Sequence, residues 1–178
     1  MDTLKIKDKG FVVSIPEERI LSEVERLADQ LNNDMEGKHP LFLCVLNGCF
    51  MFAADLFRRI TIPAEISFIK LASYEGTAST GSVKELVGLS ENIAGRTVII
   101  VEDIVDTGST MQKLVADLET RSPESIHICT LLLKPEKLKV PLNVEYVALE
   151  IPNDFIVGYG LDYDGYGRNL RDIYTVVE

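Results

Sequence analysis

The stretch that decides the fold is Val98-Ile99-Ile100-Val101-Glu102-Asp103-Ile104-Val105-Asp106-Thr107-Gly108-Ser109-Thr110-Met111. Its first four residues are all β-branched and too few for a buried helix, so they predict a strand covered on both faces, as in a parallel sheet. Two carboxylates follow, and then a loop of small and hydroxyl-bearing residues. Apolar residues at helical spacing come next, namely Met111, Leu114, Val115 and Leu118. The stretch therefore predicts a strand, a loop and a helix in that order.

The loop at residues 106–110 has features that suit phosphate binding. Hydroxyl groups, a glycine without a Cβ and the unpaired N–H groups of a helix N-terminus can all meet phosphate oxygens. Glu102 and Asp103 just before the loop suggest a divalent cation, or the hydroxyl groups of a sugar that carries the phosphate. Taken alone, the loop is explained about equally well by ordinary helix capping beside a solvated acid pair.

Size, charge and cysteine content narrow the class of protein. A chain of 178 residues with 46% hydrophobic content fits a single domain, residues 1–178, with a sizeable core. The net charge of -10 argues against a nucleic-acid partner or an anionic membrane surface, which require clustered Lys and Arg. Cys44, Cys49 and Cys129 have no CxxC spacing and are expected as buried free thiols. Without a signal-peptide pattern or an apolar run near about 20 residues, a cytoplasmic protein is predicted.

Predicted strands and helices alternate along the rest of the chain. Ser14-Ile15-Pro16-Glu17 has capping-box spacing and predicts a helix over about residues 15–34. Further strands are predicted at Leu41–Leu46, Ala64–Leu71, Ile126–Leu133 and Val144–Ile151, with Val83–Leu89 as another candidate. A helical stripe covers Phe50–Ile60, and the polar segment Ser73–Ser82 is expected to be a mobile loop. This order favours an α/β fold with a doubly wound, mainly parallel sheet, whose ligands lie beyond the carboxyl ends of the strands.

Leu46-Asn47-Gly48 ends the first predicted core strand, where a substrate crevice should open. An Asn-Gly pair is usually a hairpin signal. Here a helical stripe follows, so a strand-to-helix turn is favoured, and Gly48 would let backbone amides approach a ligand closely. From the residues alone, a plain structural turn is as good an interpretation.

The stretch from Val98 to Thr110 resembles the 5-phosphoribosyl-1-pyrophosphate (PRPP) motif of type I phosphoribosyltransferases, in which apolar residues precede two acids and Asp-Thr-Gly-x-Thr closes the loop. Other pieces, from about Val12 to Val176, follow the order of the hypoxanthine-guanine type. The resemblance implies a small hood formed by the terminal segments and a flexible lid loop headed by Ser73 and Tyr74. It also implies a purine salvage glycosyltransferase that moves the phosphoribosyl group from PRPP to hypoxanthine, with guanine as the second expected base, and releases pyrophosphate with IMP or GMP.

The resemblance further implies roles for individual residues. Those expected to bind PRPP or the nucleotide are Glu102, Asp103, Asp106, Thr107, Gly108, Ser109 and Thr110. Those expected at the pyrophosphate are Leu46, Asn47, Gly48 and Arg168. Those expected at the purine are Lys134, Phe155, Ile156 and Asp162. The expected ligands of Mg²⁺, the implied cofactor, are Glu102, Asp103 and Asp162. Asp106 is our candidate for the catalytic general base.

Several alternatives remain open at this point. Considered singly, Lys134 could be a solvated lysine that ends a strand, Tyr74 an exposed loop residue, and Phe155 a core residue. A regulatory module that keeps the PRPP-binding fold without catalysis is one rival function. A phosphoribosyltransferase for xanthine or a pyrimidine is another. The resemblance also implies a homodimer or a homotetramer.

Overall fold

Strands and helices alternate along the chain, as the hydrophobic pattern predicts. The protein is represented by a computed structural model that describes residues 2–71 and 86–177. The strands of this part are β1 (Leu4–Ile6), β2 (Lys9–Ile15), β3 (Leu41–Leu46), β4 (Glu65–Leu71), β5 (Leu86–Val87), β6 (Thr97–Val105), β7 (Ser125–Leu133), β8 (Tyr146–Glu150), β9 (Ile156–Val157) and β10 (Ile173–Val177). Its helices are α1 (Glu17–Asp34), α2 (Phe50–Phe57) and α3 (Ser109–Glu119), with a 3-10 turn at Pro135–Lys137.

The larger sheet has the strand order β5-β4-β3-β6-β7-β8. All of its strands are parallel except β5, which pairs with β4 in the antiparallel sense at one edge. Helices α1 and α2 pack on one face, whereas α3 packs on the other. The predicted doubly wound, mainly parallel sheet is confirmed.

Strand β6 lies in the middle of this sheet because both of its faces are apolar. Val98 and Ile100 pack in the cluster that contains α3, while Ile99 and Val101 pack in the cluster that contains α1 and α2. Each of these four side chains is at most 1% exposed. A run of β-branched residues suits this position, since side chains of a strand alternate between two buried faces.

A crevice opens where β3 and β6 separate. Their pairing ends at Cys44 opposite Val101, whereas β6 continues beside β7 until Val105 lies opposite Leu133. Beyond this point α2 leads to β4 on one side and α3 leads to β7 on the other, which makes the gap a topological switch point. The sequence predicted Glu102 and Asp103 after the strand. They instead lie inside β6, because pairing with β7 extends the strand to Val105.

The two terminal segments form a second, antiparallel sheet with the order β1-β2-β10-β9. Strand β10 pairs with β2 from Ile173 opposite Ile15 to Val177 opposite Gly10. Phe11 of β2 and Ile173 of β10 are fully buried. This sheet fixes the ends of the chain to each other, and it carries β9 beside them.

The predicted capping box at the start of α1 is wrong. Ser14 belongs to β2, and its hydroxyl donates to the carbonyl of Ile173 at 3.2 Å. Pro16, in extended conformation, precedes the helix and offers no side-chain cap. Instead the carboxylate of Asp172 accepts the N–H of Glu17 at 2.7 Å. The capping group comes from the other end of the chain, so local spacing could not reveal it.

One predicted helix ends early, and two other predicted segments lie partly or wholly outside the described residues. Helix α2 stops at Phe57 rather than Ile60, because the N–H groups of Arg59 and Ile60 turn to acceptors three residues back. Of the candidate strand Val83–Leu89, the described residues contain only β5. The predicted loop Ser73–Ser82, with Ser73 and Tyr74, lies outside the described residues.

The three cysteines are buried free thiols, as predicted. Burial raises the pKa of Cys44 to about 12, and it raises the pKa of Cys49 and Cys129 as well. The neighbouring Cys44 and the carboxylates of Glu102 and Asp103 add to the effect at Cys49. No helix within residues 2–71 and 86–177 combines the length and the apolar character needed to cross a bilayer.

Replacing Asp172 by Ala should destabilise the protein, because the first turn of α1 then loses its acceptor. Loss of a cap typically costs about 1 kcal/mol, which corresponds to a fall in Tm of about 2–4 °C for a domain of this size. Thermal unfolding followed by circular dichroism measures the change. Asp172→Asn keeps an acceptor oxygen and should lose less, whereas an unchanged Tm for Asp172→Ala would remove Asp172 from this role.

Candidate active site

Two adjacent carboxylates at the end of β6 face the crevice with different exposure. Glu102 is buried, whereas Asp103 is partly exposed. Burial raises the pKa of Glu102 well above its usual value, and the neighbouring carboxylate of Asp103 raises it further. Oε1 of Glu102 accepts the N–H of Asp103 at 3.0 Å. A divalent cation or sugar hydroxyl groups would stabilise the charged form of this pair.

The loop at residues 106–110 adjoins these acids and shares a cavity of about 140 Å³ with them. Gly108 precedes α3 with a φ of 85°, a left-handed conformation that suits glycine. Within the described part of the chain, the N–H groups of Thr107, Gly108, Thr110 and Met111 donate no hydrogen bond. Free N–H groups at a helix N-terminus are suited to a phosphate, so the predicted loop has the donors that its role requires.

Asp106 presents an unsatisfied oxygen at the same cavity. Its Oδ1 is buried and accepts no hydrogen bond from the described residues. The nearest cation is Lys137, whose Nζ lies 3.5 Å from this oxygen. A carboxylate that has an ion-pair partner but an oxygen with no hydrogen bond can still accept an N–H group or a proton from a ligand.

Gly48 connects the end of β3 with the acid pair. The segment Leu46-Asn47-Gly48 turns from β3 into α2, as predicted, and its Leu46–Asn47 peptide bond is cis. A Cβ on Gly48 would overlap Oδ2 of Asp103 and lie 2.8 Å from Cγ of the same residue. Only glycine leaves room for this contact, so the backbone of the turn packs directly on the carboxylate.

The loop after β9 meets the same turn from the other side. A Cβ on Gly160 would overlap the carbonyl oxygen of Gly48 and lie 3.3 Å from its carbon. Nη1 of Arg168 donates to the carbonyl of Gly160 at 2.7 Å, and Nη2 lies 3.2 Å from Oδ1 of Asp162. The turn at Gly48, the acid pair and the predicted residues Arg168 and Asp162 therefore form one connected group.

Lys134 ends β7 beside the end of β6. It is only 7% exposed, and its N–H donates to the carbonyl of Val105 at 3.1 Å. No ion pair among the described residues involves its ammonium group. A buried ammonium without a carboxylate partner is costly unless an oxygen acceptor reaches it, so the solvated-lysine alternative is wrong.

Phe155 lies at the edge of the second sheet and is half exposed, at 46%. Its ring packs edge-on against Tyr163, with centroids 5.6 Å apart, and at a tilt against Phe11 at 6.3 Å. The next residue, Ile156, is buried in β9 and pairs with Thr175. Phe155 thus has a supported ring with an exposed surface, although it does not line the cavity of the phosphate loop.

Comparison with known proteins identifies the family of this site. The family model described as the phosphoribosyl transferase domain matches residues 15–164. The chain belongs to the phosphoribosyl transferase domain family. It is 44% identical to the hypoxanthine-guanine phosphoribosyltransferase of Streptococcus thermophilus over 163 residues, 91% of each chain. It is 40% identical to the enzyme of the same name from Mycobacterium tuberculosis over 171 residues, 92% of this chain and 85% of that one.

A solved structure leads to the same family. The crystal structure of a hypoxanthine phosphoribosyltransferase from Staphylococcus aureus superposes with a TM-score of 0.85 at 38% identity. The match covers 93% of this chain and 91% of that one. The chain is thus a pentosyltransferase of the phosphoribosyl transferase family, with the type I fold that the resemblance implied.

Sequence reasoning missed three residues that the structure brings to this site. Lys137 reaches Asp106 from the 3-10 turn after β7, and Gly160 packs on Gly48. Tyr159 is buried, and its hydroxyl donates a hydrogen bond to Asp55 of α2. No local pattern marks any of them, since each contact joins segments far apart in sequence or depends on an irregular turn.

Gly48→Ala should lower the rate of phosphoribosyl transfer by about 10²-fold, because the added methyl group displaces the carboxylate of Asp103, and misplacement near 1 Å has such an effect. Steady-state kinetics with a thermal unfolding check measures it. Gly10→Ala is the matched control, since its Cβ would meet only side-chain methyl groups of Thr3 and Val177, at 3.0 and 3.2 Å. Full activity of Gly48→Ala would contradict the proposed contact.

Proposed function

We propose that this protein transfers the 5-phosphoribosyl group from PRPP to hypoxanthine, and also to guanine, with release of pyrophosphate and formation of IMP or GMP. The observation that carries the proposal is the contact of Gly48 with Asp103. The contact joins the turn at Gly48 to the acid pair, and this supports a pyrophosphate site next to the loop that would hold the 5′-phosphate. The names of the relatives support the choice of bases.

Binding of PRPP would use three parts of the site. The N–H groups of Thr107, Gly108, Thr110 and Met111, which donate no hydrogen bond within the described residues, would hold the 5′-phosphate together with the hydroxyl groups of the same loop. Glu102 and Asp103 would accept hydrogen bonds from the ribose hydroxyls. The backbone of Leu46-Asn47-Gly48 and the guanidinium of Arg168 would bind the pyrophosphate, whose charge develops as the bond to ribose breaks.

The donor set fits Mg²⁺. Magnesium prefers carboxylate oxygens, and it commonly takes one or two of them together with substrate phosphates and water. Among residues 2–71 and 86–177, no three His, Cys, Asp or Glu side chains are grouped as a metal site. Glu102 and Asp103 would hold one magnesium ion, and Asp162 would help to hold a second, which would supply charge neutralisation for the departing pyrophosphate.

Asp106 would act as general base at the imidazole edge of the purine. As C1′ of the ribose becomes electron-poor, N9 of the purine attacks it from the face opposite the pyrophosphate. The carboxylate of Asp106, whose Oδ1 accepts no hydrogen bond within the described residues, would accept the purine proton. The ammonium of Lys137, 3.5 Å from Oδ1 of Asp106, would hold the carboxylate in position until the purine binds.

The purine would be recognised by groups from both sheets. The ammonium of Lys134 would donate to the 6-oxo group of the base, since it is buried without a carboxylate partner. Phe155 would stack on the purine, with Tyr163 and Phe11 behind its ring. The main chain of Ile156 and the carboxylate of Asp162 would complete the pocket.

Two properties of the protein in the cell belong to the same proposal. Three buried free thiols suit a reducing compartment, so a cytoplasmic location is proposed. A homodimer or homotetramer is proposed for the assembly. The net charge of -10 supports small-molecule substrates without a nucleic-acid or membrane partner.

The function is tested by a coupled spectrophotometric assay of the purified protein with PRPP, Mg²⁺ and one base at a time. Hypoxanthine and guanine should give IMP and GMP, whereas xanthine and pyrimidines should react far more slowly. A preference for xanthine or a pyrimidine would replace the proposed base. Retention of RNA on a filter at physiological salt without any IMP formation would favour a regulatory module instead.

Asp106→Asn should reduce kcat by about 10²–10⁴-fold, the usual contribution of general base catalysis, because an amide cannot take the purine proton. Binding of PRPP, measured by titration calorimetry, should change little. Since the substitution preserves the shape of the side chain, a kcat equal to that of the wild type would exclude Asp106 as the base.

Lys134→Gln should weaken the use of 6-oxopurines, since the buried cation is replaced by a neutral amide. The expected rise in KM for hypoxanthine is about tenfold or more, with little change in KM for PRPP. Lys139→Gln is the matched control, because Lys139 is an exposed lysine five residues further on. Equal kinetics for Lys134→Gln and the wild type would contradict the assignment of the base pocket.

A further inference from the structure

Tyr159 has an unusual conformation for a buried aromatic residue. Its φ is 48°, in the left-handed region, and the glycines on either side, Gly158 and Gly160, also have positive φ values of 107° and 97°. Its side chain is only 3% exposed. A non-glycine residue pays a conformational penalty there, so other contacts must hold this turn in place.

The contact of the Tyr159 side chain is with α2. Its hydroxyl donates to Oδ2 of Asp55 at 2.5 Å. Burial and the carboxylate of Asp55 both raise the pKa of Tyr159, so the hydroxyl stays protonated and acts as the donor. Asp55 lies on the helix that begins two residues after Gly48. The hydrogen bond therefore ties the turn after β9 to the element that follows the candidate pyrophosphate site.

Backbone hydrogen bonds connect the turn at Tyr159 to the candidate pyrophosphate site. The N–H of Tyr159 donates to the carbonyl of Leu170, and the N–H of Gly160 donates to the carbonyl of Arg168, at 2.9 and 3.0 Å. Gly160 packs on the carbonyl of Gly48, and the side chain of Arg168 donates back to Gly160. The position of the Arg168 guanidinium relative to the turn at Gly48 thus depends on the turn that Tyr159 anchors.

We propose that Tyr159 and Asp55 are positioning residues for pyrophosphate: their hydrogen bond fixes the loop that carries Arg168 against the turn at Gly48. The inference rests on the proposed function of these two segments. Neither residue needs to touch the substrate. Loss of the hydrogen bond should therefore weaken the binding of pyrophosphate and of PRPP more than the binding of the purine base, because Lys134 and Phe155 lie outside this turn.

The chain contains a matched pair for comparison. The hydroxyl of Tyr146 donates to Oδ2 of Asp34 at 2.8 Å, and Tyr146 is likewise 3% exposed. This pair also joins a tyrosine to a helical aspartate, but it connects β8 with the end of α1. Tyr146→Phe therefore removes the same chemical group from a similar environment outside the proposed binding segments.

The experiment compares Tyr159→Phe, Asp55→Asn, Tyr146→Phe and the wild type in both directions of the reaction. The reverse direction converts IMP and pyrophosphate to PRPP and hypoxanthine. For Tyr159→Phe, the KM values for pyrophosphate and PRPP should rise roughly three- to tenfold, the range for loss of one hydrogen bond. Asp55→Asn retains an acceptor oxygen and should show a smaller rise. The KM values for hypoxanthine and IMP should stay within about twofold in all variants.

The outcomes separate this inference from the proposed function. A wild-type protein without activity on PRPP and 6-oxopurines would remove the proposed function. If the wild type is active and Tyr159→Phe has an unchanged KM for pyrophosphate, the inference is overturned and the proposed function stands. So would an equal rise in Tyr146→Phe, or an equal rise in KM for hypoxanthine, since either result indicates a general loss of structure. If Tyr159→Phe does not fold, Asp55→Asn decides by the same criteria.

Discussion

The contact of Gly48 with the carboxylate of Asp103 is the constraint on which the site depends. It brings the backbone after β3 onto the acid pair of β6 with no space for a side chain between them. Gly160 then packs on the other side of Gly48, which brings the loop of Arg168 and Asp162 to the same point. Three segments that are distant in sequence thereby meet at the backbone of Gly48, which has less conformational freedom than a flexible side chain.

The topology of the sheet explains why the contact occurs at this place. β3 and β6 pair only as far as Cys44 and Val101, and their following helices leave on different sides of the sheet. Beyond Val101, β6 pairs only with β7, so on the side of β3 its two acids face a gap rather than a neighbouring strand. A charged group buried in such a gap is costly, and the raised pKa of Glu102 reflects that cost. A bound cation or sugar can offset it, which links the geometry of the fold to the binding of substrate.

Local patterns were sufficient for the larger sheet and for the turn from β6 into α3 at residues 106–110. The run of β-branched residues in β6 and the helical stripe of α3 require no information from elsewhere in the chain. The turn at Asn47 could also be distinguished from a hairpin, because the stripe of α2 follows it. The cap of α1 by Asp172, the pair of Lys137 with Asp106, and the bond of Tyr159 to Asp55 could not be predicted. Each depends on tertiary contacts between segments whose own sequences carry no signal, and the extent of β6 depends on its partner β7.

In the proposed function, one site holds both the sugar phosphate and the pyrophosphate of PRPP. Calorimetric titration of PRPP into protein already saturated with either IMP or pyrophosphate tests this claim most directly. Each ligand should lower the apparent affinity for PRPP in proportion to its concentration, because IMP occupies the phosphate loop and pyrophosphate occupies the turn at Gly48. If the affinity for PRPP is the same with and without IMP or pyrophosphate, the loop at residues 106–110 and the turn at Gly48 do not form one site.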